Sequence, residues 1–113
     1  MAIYDKNELI SNFTGDEDIL KDLIHEFINK SSSLINDVEL AITNKNSDHL
    51  KLHAHTLKGV ISNFYAEEIR LLAYDLEVAG TNKDFTNVDV KLTKIKSLLP
   101  ELIKELQDLQ NTL

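Results

Sequence analysis

Cysteine and tryptophan are absent from this chain of 113 residues, which also has only three glycines and one proline. Without cysteine the chain has no disulfide, no thiolate metal site and no thiol nucleophile. So few glycines and prolines cannot supply the many tight turns of a β-rich fold, nor the glycine-rich loops that cradle nucleotide phosphates. The composition therefore predicts a helical protein that does not bind ATP itself.

Positive charge and long apolar runs are also scarce. Nineteen acidic residues against twelve basic ones give a net charge of −7, which repels nucleic acid and anionic lipid and favours a protein partner. No apolar run approaches the about 18 residues of a membrane span, and residues 1–13 lack the features of a secretion signal. We therefore expect a cytoplasmic, monomeric protein with one domain over residues 1–113, and neither nucleic acid nor membrane as a partner.

Apolar residues recur at helical spacing along nearly the whole chain. The predicted elements are five helices, over residues 5–12, 14–43, 48–64, 66–79 and 87–110. Four long helices with short connections predict an all-α fold, an antiparallel up-down-up-down four-helix bundle with the short N-terminal helix capping one end.

Local chemistry predicts how some of these helices begin and end. Ser47 or Asp48 is expected to cap the third helix, and Gly80 to follow the last residue of the fourth, with residues 81–86 as loop. Pro100 is expected to kink the last helix without ending it, because the apolar stripe continues on both sides.

The third predicted helix carries a histidine on its outer face. Its inward stripe consists of Leu50, Ala54, Leu57, Ile61 and Phe64. His55 points away from this stripe, with Gly59 about 40° and Ser62 about 20° from it on a helical wheel. The next turn therefore carries only a hydrogen and a hydroxymethyl group, which leaves room for a visiting active site. Lys58, three residues after His55, can offer its ammonium to an anion on the ring.

These residues form a recognisable motif. The run from Ala54 to Gly59, Ala-His-Thr-Leu-Lys-Gly, resembles the Ala-His-x-Leu-Lys-Gly signature of the histidine phosphotransfer (HPt) domain. Further resemblance to the family's other helices is carried by Asp5, Leu9, Phe13, residues 15–20, Phe27, Leu71, Leu76 and Glu77. One departure is Tyr65, which stands where the family usually has a glycine ten residues after the histidine.

The resemblance implies a phosphorelay intermediate. His55 would accept a phosphoryl group on Nε2 from the phospho-aspartate of a response-regulator receiver domain and pass it to another receiver aspartate, with a hybrid histidine kinase as a further partner. Lys58 would support the phosphoryl oxygens electrostatically, and the receiver would supply Mg²⁺, so that this chain binds no cofactor and no metal. We expect Leu52, Gly59 and Ser62 to form the surface on which the receiver docks.

Other interpretations stay open. The chain is alternatively the phosphoacceptor domain of a chemotaxis-type histidine kinase, or a bundle that docks receivers without transferring anything. His49 and His53 have the i, i+4 spacing of a shared metal site, although two ligands rarely suffice. The fourth helix has a second apolar face, formed by Leu71, Tyr74 and Val78, which is either covered by the first helix or a loop, or exposed for a partner.

Overall fold

The computed structural model describes residues 2–113, which form helices and connections without a strand. The five helices are α1 (Lys6–Asn12), α2 (Glu17–Thr43), α3 (Ser47–Ser62), α4 (Glu67–Asn82) and α5 (Val88–Thr112). The predicted all-α class is therefore confirmed.

The core lies among the four long helices. α3 packs against α2 and α4, and α5 packs against the same two helices. The stripe predicted for α3 is buried, and Phe64 at its end packs against Phe27 of α2 with ring centroids 5.0 Å apart. α5 continues through Pro100 as one helix, as predicted, because Ile95, Leu99 and Leu102 are buried on both sides of the proline. α3 thus lies between α2 and α4 with its outer face open.

Two predictions about the residues at helix ends, the cap of α3 and the glycine after α4, are wrong. Asn46, and not Ser47 or Asp48, caps α3: its backbone is still extended and its side chain accepts the His49 N–H at 3.0 Å. Asparagine is among the best N-caps, and the next two residues are already helical. Gly80 does not follow α4 but lies buried within it, so the predicted loop over 81–86 loses its first two residues to the helix.

α1 is tied to the turn that leaves α3. Asp5 caps α1 by accepting the Glu8 N–H at 3.0 Å, and its own N–H donates to the carbonyl of Tyr65, also at 3.0 Å. Tyr65 has a φ of 55°, in the left-handed region that favours glycine. The turn therefore keeps a glycine-like conformation with a tyrosine in it.

Candidate functional site

The outer face of α3 presents His55 to solvent. Its side chain is 64% exposed. Ser62 is turned onto its own helix, where its hydroxyl donates to the Lys58 carbonyl at 2.7 Å. A Cβ placed on Gly59 would meet nothing within 4 Å, and Leu52 is 57% exposed. Leu52, His55, Gly59 and Ser62 are therefore exposed on the outer face of α3.

A carboxylate from the neighbouring helix completes the site. Glu77 of α4 places Oε2 2.9 Å from Nδ1 of His55 and Oε1 2.7 Å from Nζ of Lys58. Its side chain is only 17% exposed. We call His55, Lys58 and Glu77 the His55 network. The contact joins residues 22 positions apart, and a helical wheel of α3 contains no information about it. The sequence-based site therefore lacks Glu77, which appears only among the residues that carry the family resemblance.

The environment of Glu77 fixes which nitrogen of His55 is free. Burial raises the pKa of Glu77, but contacts with Lys58 and His55 outweigh burial and hold this pKa below its ordinary value of 4.5. An ionised carboxylate only accepts hydrogen bonds, so in the neutral ring the proton has to lie on Nδ1. The lone pair of Nε2 then faces solvent, where it is available as a nucleophile.

Lys58 is engaged within the protein. Besides its ion pair with Glu77, its Nζ lies 5.3 Å from the centroid of the Tyr74 ring, and the side chain is mostly enclosed. From the sequence, Lys58 is predicted to offer its ammonium to an anion carried by the imidazole. In the structure this ammonium lies on the carboxylate that binds the imidazole.

Comparison with known proteins identifies the family. The sequence model of the Hpt domain family matches residues 22–112, which is most of the chain. This chain belongs to the Hpt family. The Hpt chain shares its fold with the crystal structure of histidine-containing phosphotransfer protein B (HptB) from Pseudomonas aeruginosa PAO1, with a TM-score of 0.90 and 17% identity over 98% of this chain and 96% of that one. No curated protein sequence matches significantly.

Membership of the family establishes the class of function. As an Hpt domain, the chain is a phosphotransfer intermediate of phosphorelays, which works with receiver domains and kinases. No helix formed by residues 2–113 is both long and apolar enough to cross a membrane.

The remaining histidines of the Hpt domain lie outside the His55 network. The rings of His49 and His53 are 5.9 Å apart, and His53 Nδ1 lies 3.9 Å from Asp37. Between residues 2 and 113 there is no group of three or more histidine or acidic residues placed to hold a metal ion. His25 is exposed and lies 3.1 Å from the side-chain amide of Asn29.

The second apolar face of α4 is open in part. Leu71 and Tyr74 are each 46% exposed, whereas Val78 is half-buried. Of the two alternatives for this face, exposure therefore holds for Leu71 and Tyr74. Tyr74 also borders the His55 network through its contact with Lys58.

Proposed function

We propose that His55 is the phosphoacceptor of this Hpt domain, taking the phosphoryl group on Nε2 from a receiver phospho-aspartate and passing it to the aspartate of another receiver. The observation that carries the assignment is an exposed imidazole whose Nδ1 is held at 2.9 Å by an ionised carboxylate. His25, His49 and His53 have no comparable contact with a mostly enclosed carboxylate.

The chemistry follows from this proton arrangement. The Nε2 lone pair forms a bond to phosphorus while the bond from phosphorus to the aspartate oxygen breaks, and the aspartate leaves as a carboxylate. The ring gains positive charge while Nδ1 keeps its proton, and the Glu77 carboxylate stabilises that charge. In the reverse step the same proton lets the imidazole leave as a neutral group. One arrangement thus serves both acceptance and donation.

Lys58 and the open surface of α3 have supporting roles in the proposal. Lys58 lies one turn from His55, so its ammonium can exchange an oxygen of Glu77 for one of the phosphoryl group and remain paired. Leu52, Gly59 and Ser62 form the docking surface. Membership of the Hpt family implies that the receiver supplies Mg²⁺ and the acidic groups that hold it. This chain then supplies a positioned nucleophile, consistent with phosphoryl transfer that depends mostly on positioning and charge neutralisation.

The proposal extends to the architecture. Residues 1–113 form one domain, an up-down-up-down bundle with α1 closing one end, which acts as a monomer in the cytoplasm. Two contacts support opposite directions for α2 and α5: Lys96 pairs with Glu39 at 2.9 Å, and the Gln110 side chain donates to the Lys21 carbonyl at 3.1 Å. The C-terminal part of each helix thus contacts the N-terminal part of the other, as in an antiparallel pair.

The test is phosphoryl acceptance by a His55→Gln variant. Receivers charged with acetyl phosphate are mixed with the protein, and intact-mass spectrometry detects an acid-labile phosphate. The variant is expected to gain none, while its helicity and melting temperature stay near wild type because the ring is exposed. Variants at His25, His49 and His53, each changed to glutamine, are the matched controls and should still be labelled.

Each alternative gives a different result. Labelling of His55→Gln contradicts the assignment of the phosphoacceptor. A wild-type protein that binds charged receivers but never gains phosphate is a docking module without transfer. Labelling by a kinase ATP-binding domain in the absence of any receiver favours the chemotaxis-type role.

A further inference from the structure

Gly80 lies where α4 touches the backbone of α3. A Cβ at this position would be 2.5 Å from the Lys51 nitrogen, 2.8 Å from the Ser47 carbonyl oxygen and 2.9 Å from the Lys51 Cα. All three atoms belong to the backbone, so no side chain can turn aside to relieve the overlap. Any residue other than glycine requires the two helices to separate.

This contact lies close to the His55 network. Gly80 follows Glu77 by three residues on the same helix, which is about 4.5 Å along its axis. Bringing the closest of the three contacts from 2.5 Å to the 3.4 Å of an ordinary van der Waals contact needs a shift of about 0.9 Å. The distance between Glu77 Oε2 and His55 Nδ1 is 2.9 Å, and N–H···O hydrogen bonds in proteins span about 2.7–3.2 Å. A separation of α3 from α4 at Gly80 is therefore large enough to detach Glu77 from the ring.

We propose that Gly80 is a positioning residue for phosphotransfer. By letting the backbones of α3 and α4 touch, it sets how far Glu77 reaches across to His55, and thereby keeps the proton on Nδ1 and the lone pair on Nε2. Its effect on the transfer rate rests on the proposed role of His55. Its effect on the position of the proton does not.

The chain supplies a matched control, because Gly59 is also a helix-interior glycine. Changing either residue to alanine adds one methyl group and improves helix propensity, but the methyl group at Gly59 enters open space. The position of the proton is measured from the ¹⁵N chemical shifts of the His55 ring in the isolated protein, at a pH where the ring is neutral. Wild type and Gly59→Ala are expected to show the Nδ1–H form, and Gly80→Ala a shift toward the Nε2–H form.

A second variant moves the carboxylate without touching the helix contact. Glu77→Asp withdraws the carboxylate by about 1.5 Å, one carbon–carbon bond, and should shift the ring in the same direction as Gly80→Ala. Transfer from a charged receiver is expected to slow at least about tenfold in both variants, as misplacement on the scale of 1 Å does in other active sites. If Gly80→Ala is too unstable for spectroscopy, sucrose, which favours the folded state, is added, and Glu77→Asp is measured beside it.

Two results overturn the proposal. One is a folded Gly80→Ala protein whose ring keeps the Nδ1–H form, whatever its transfer rate. The other is a Glu77→Asp protein with the wild-type proton position, because the reach of the carboxylate would then have no effect. If instead wild type shows the Nδ1–H form and never accepts phosphate, the role of His55 fails while the positioning by Gly80 stands.

Discussion

At the scale of single residues, one carboxylate binds both a lysine and a histidine. Burial raises the pKa of Glu77, and its contacts with Lys58 and His55 bring that pKa below 4.5. Because the pKa of Glu77 is lower in the folded protein than in the unfolded chain, Glu77 stabilises the fold at pH values above the ordinary pKa of a glutamate. That stabilisation is lost as the pH falls through the lowered pKa. The hold on His55 Nδ1 is lost over the same acidic range.

Lys58→Ala tests this arrangement. Without the ammonium, burial of Glu77 is less well compensated and its pKa rises, so the loss of folding stability in acid should begin at a higher pH. At neutral pH we expect transfer about tenfold slower, equivalent to about 1.4 kcal/mol of lost electrostatic support. The measurements are the free energy of unfolding as a function of pH and the transfer rate as a function of salt, with Lys104→Ala, at an exposed position of α5, as the control.

The salt dependence of the transfer rate tests whether Lys58 assists transfer electrostatically. The deficit of Lys58→Ala should be largest at low ionic strength and shrink as salt screens the wild-type interaction. Equal rates for Lys58→Ala and wild type at low salt would show that the lysine does not assist transfer.

At the scale of secondary-structure elements, the C-terminus of α4 offers a stability test. Its capping residue is Lys83, which is exposed and has a φ of 55°. A side chain costs about 1 kcal/mol in this left-handed conformation, and glycine avoids that cost. Lys83→Gly should therefore raise the free energy of unfolding by about 1 kcal/mol in urea denaturation. Lys83→Ala keeps a Cβ and should give no gain, and a Lys83→Gly protein less stable than wild type would contradict the explanation.

The same helix end shows what sequence alone could predict. Periodicity predicted the five helices and the buried stripe of α3, because that information lies within one helix. A glycine near the end of a helical pattern is usually its terminus, and local rules therefore placed Gly80 there. Its actual position depends on the backbone of α3, and the link from His55 to Glu77 depends on the same packing. Neither is encoded in the spacing of residues along one helix.

At the scale of the whole molecule, the exposed apolar residues of α3 and α4 form two candidate docking faces. Leu52 lies on α3, one turn before His55, and Tyr74 on α4 beside Lys58. We expect Leu52→Asp to weaken receiver binding by about 2 kcal/mol, as at the centre of an interface, and Tyr74→Ser to have a smaller effect, as at its margin. Calorimetric titration with a receiver gives the affinities.

Stability is measured on the same variants. Leu52 and Tyr74 are both exposed, so neither substitution should change the free energy of unfolding by more than about 1 kcal/mol. Val90→Asp, at an exposed position of α5, is the control for added negative charge on a chain that already carries −7. The opposite order of affinities would move the docking surface to α4.

The hydrogen bond from the Asp5 N–H to the Tyr65 carbonyl ties the N-terminal segment to the bundle. This attachment matters when a truncated fragment of the protein is chosen. The family match begins at residue 22, and a fragment trimmed to that point would keep the phosphoacceptor helix intact. It would also remove Leu9 and Leu20, which are buried against the rest of the core, and uncover apolar surface that water disfavours. Such a fragment would retain every reacting group and still be poorly soluble, so failed transfer in it would report on sample quality and not on the chemistry of His55.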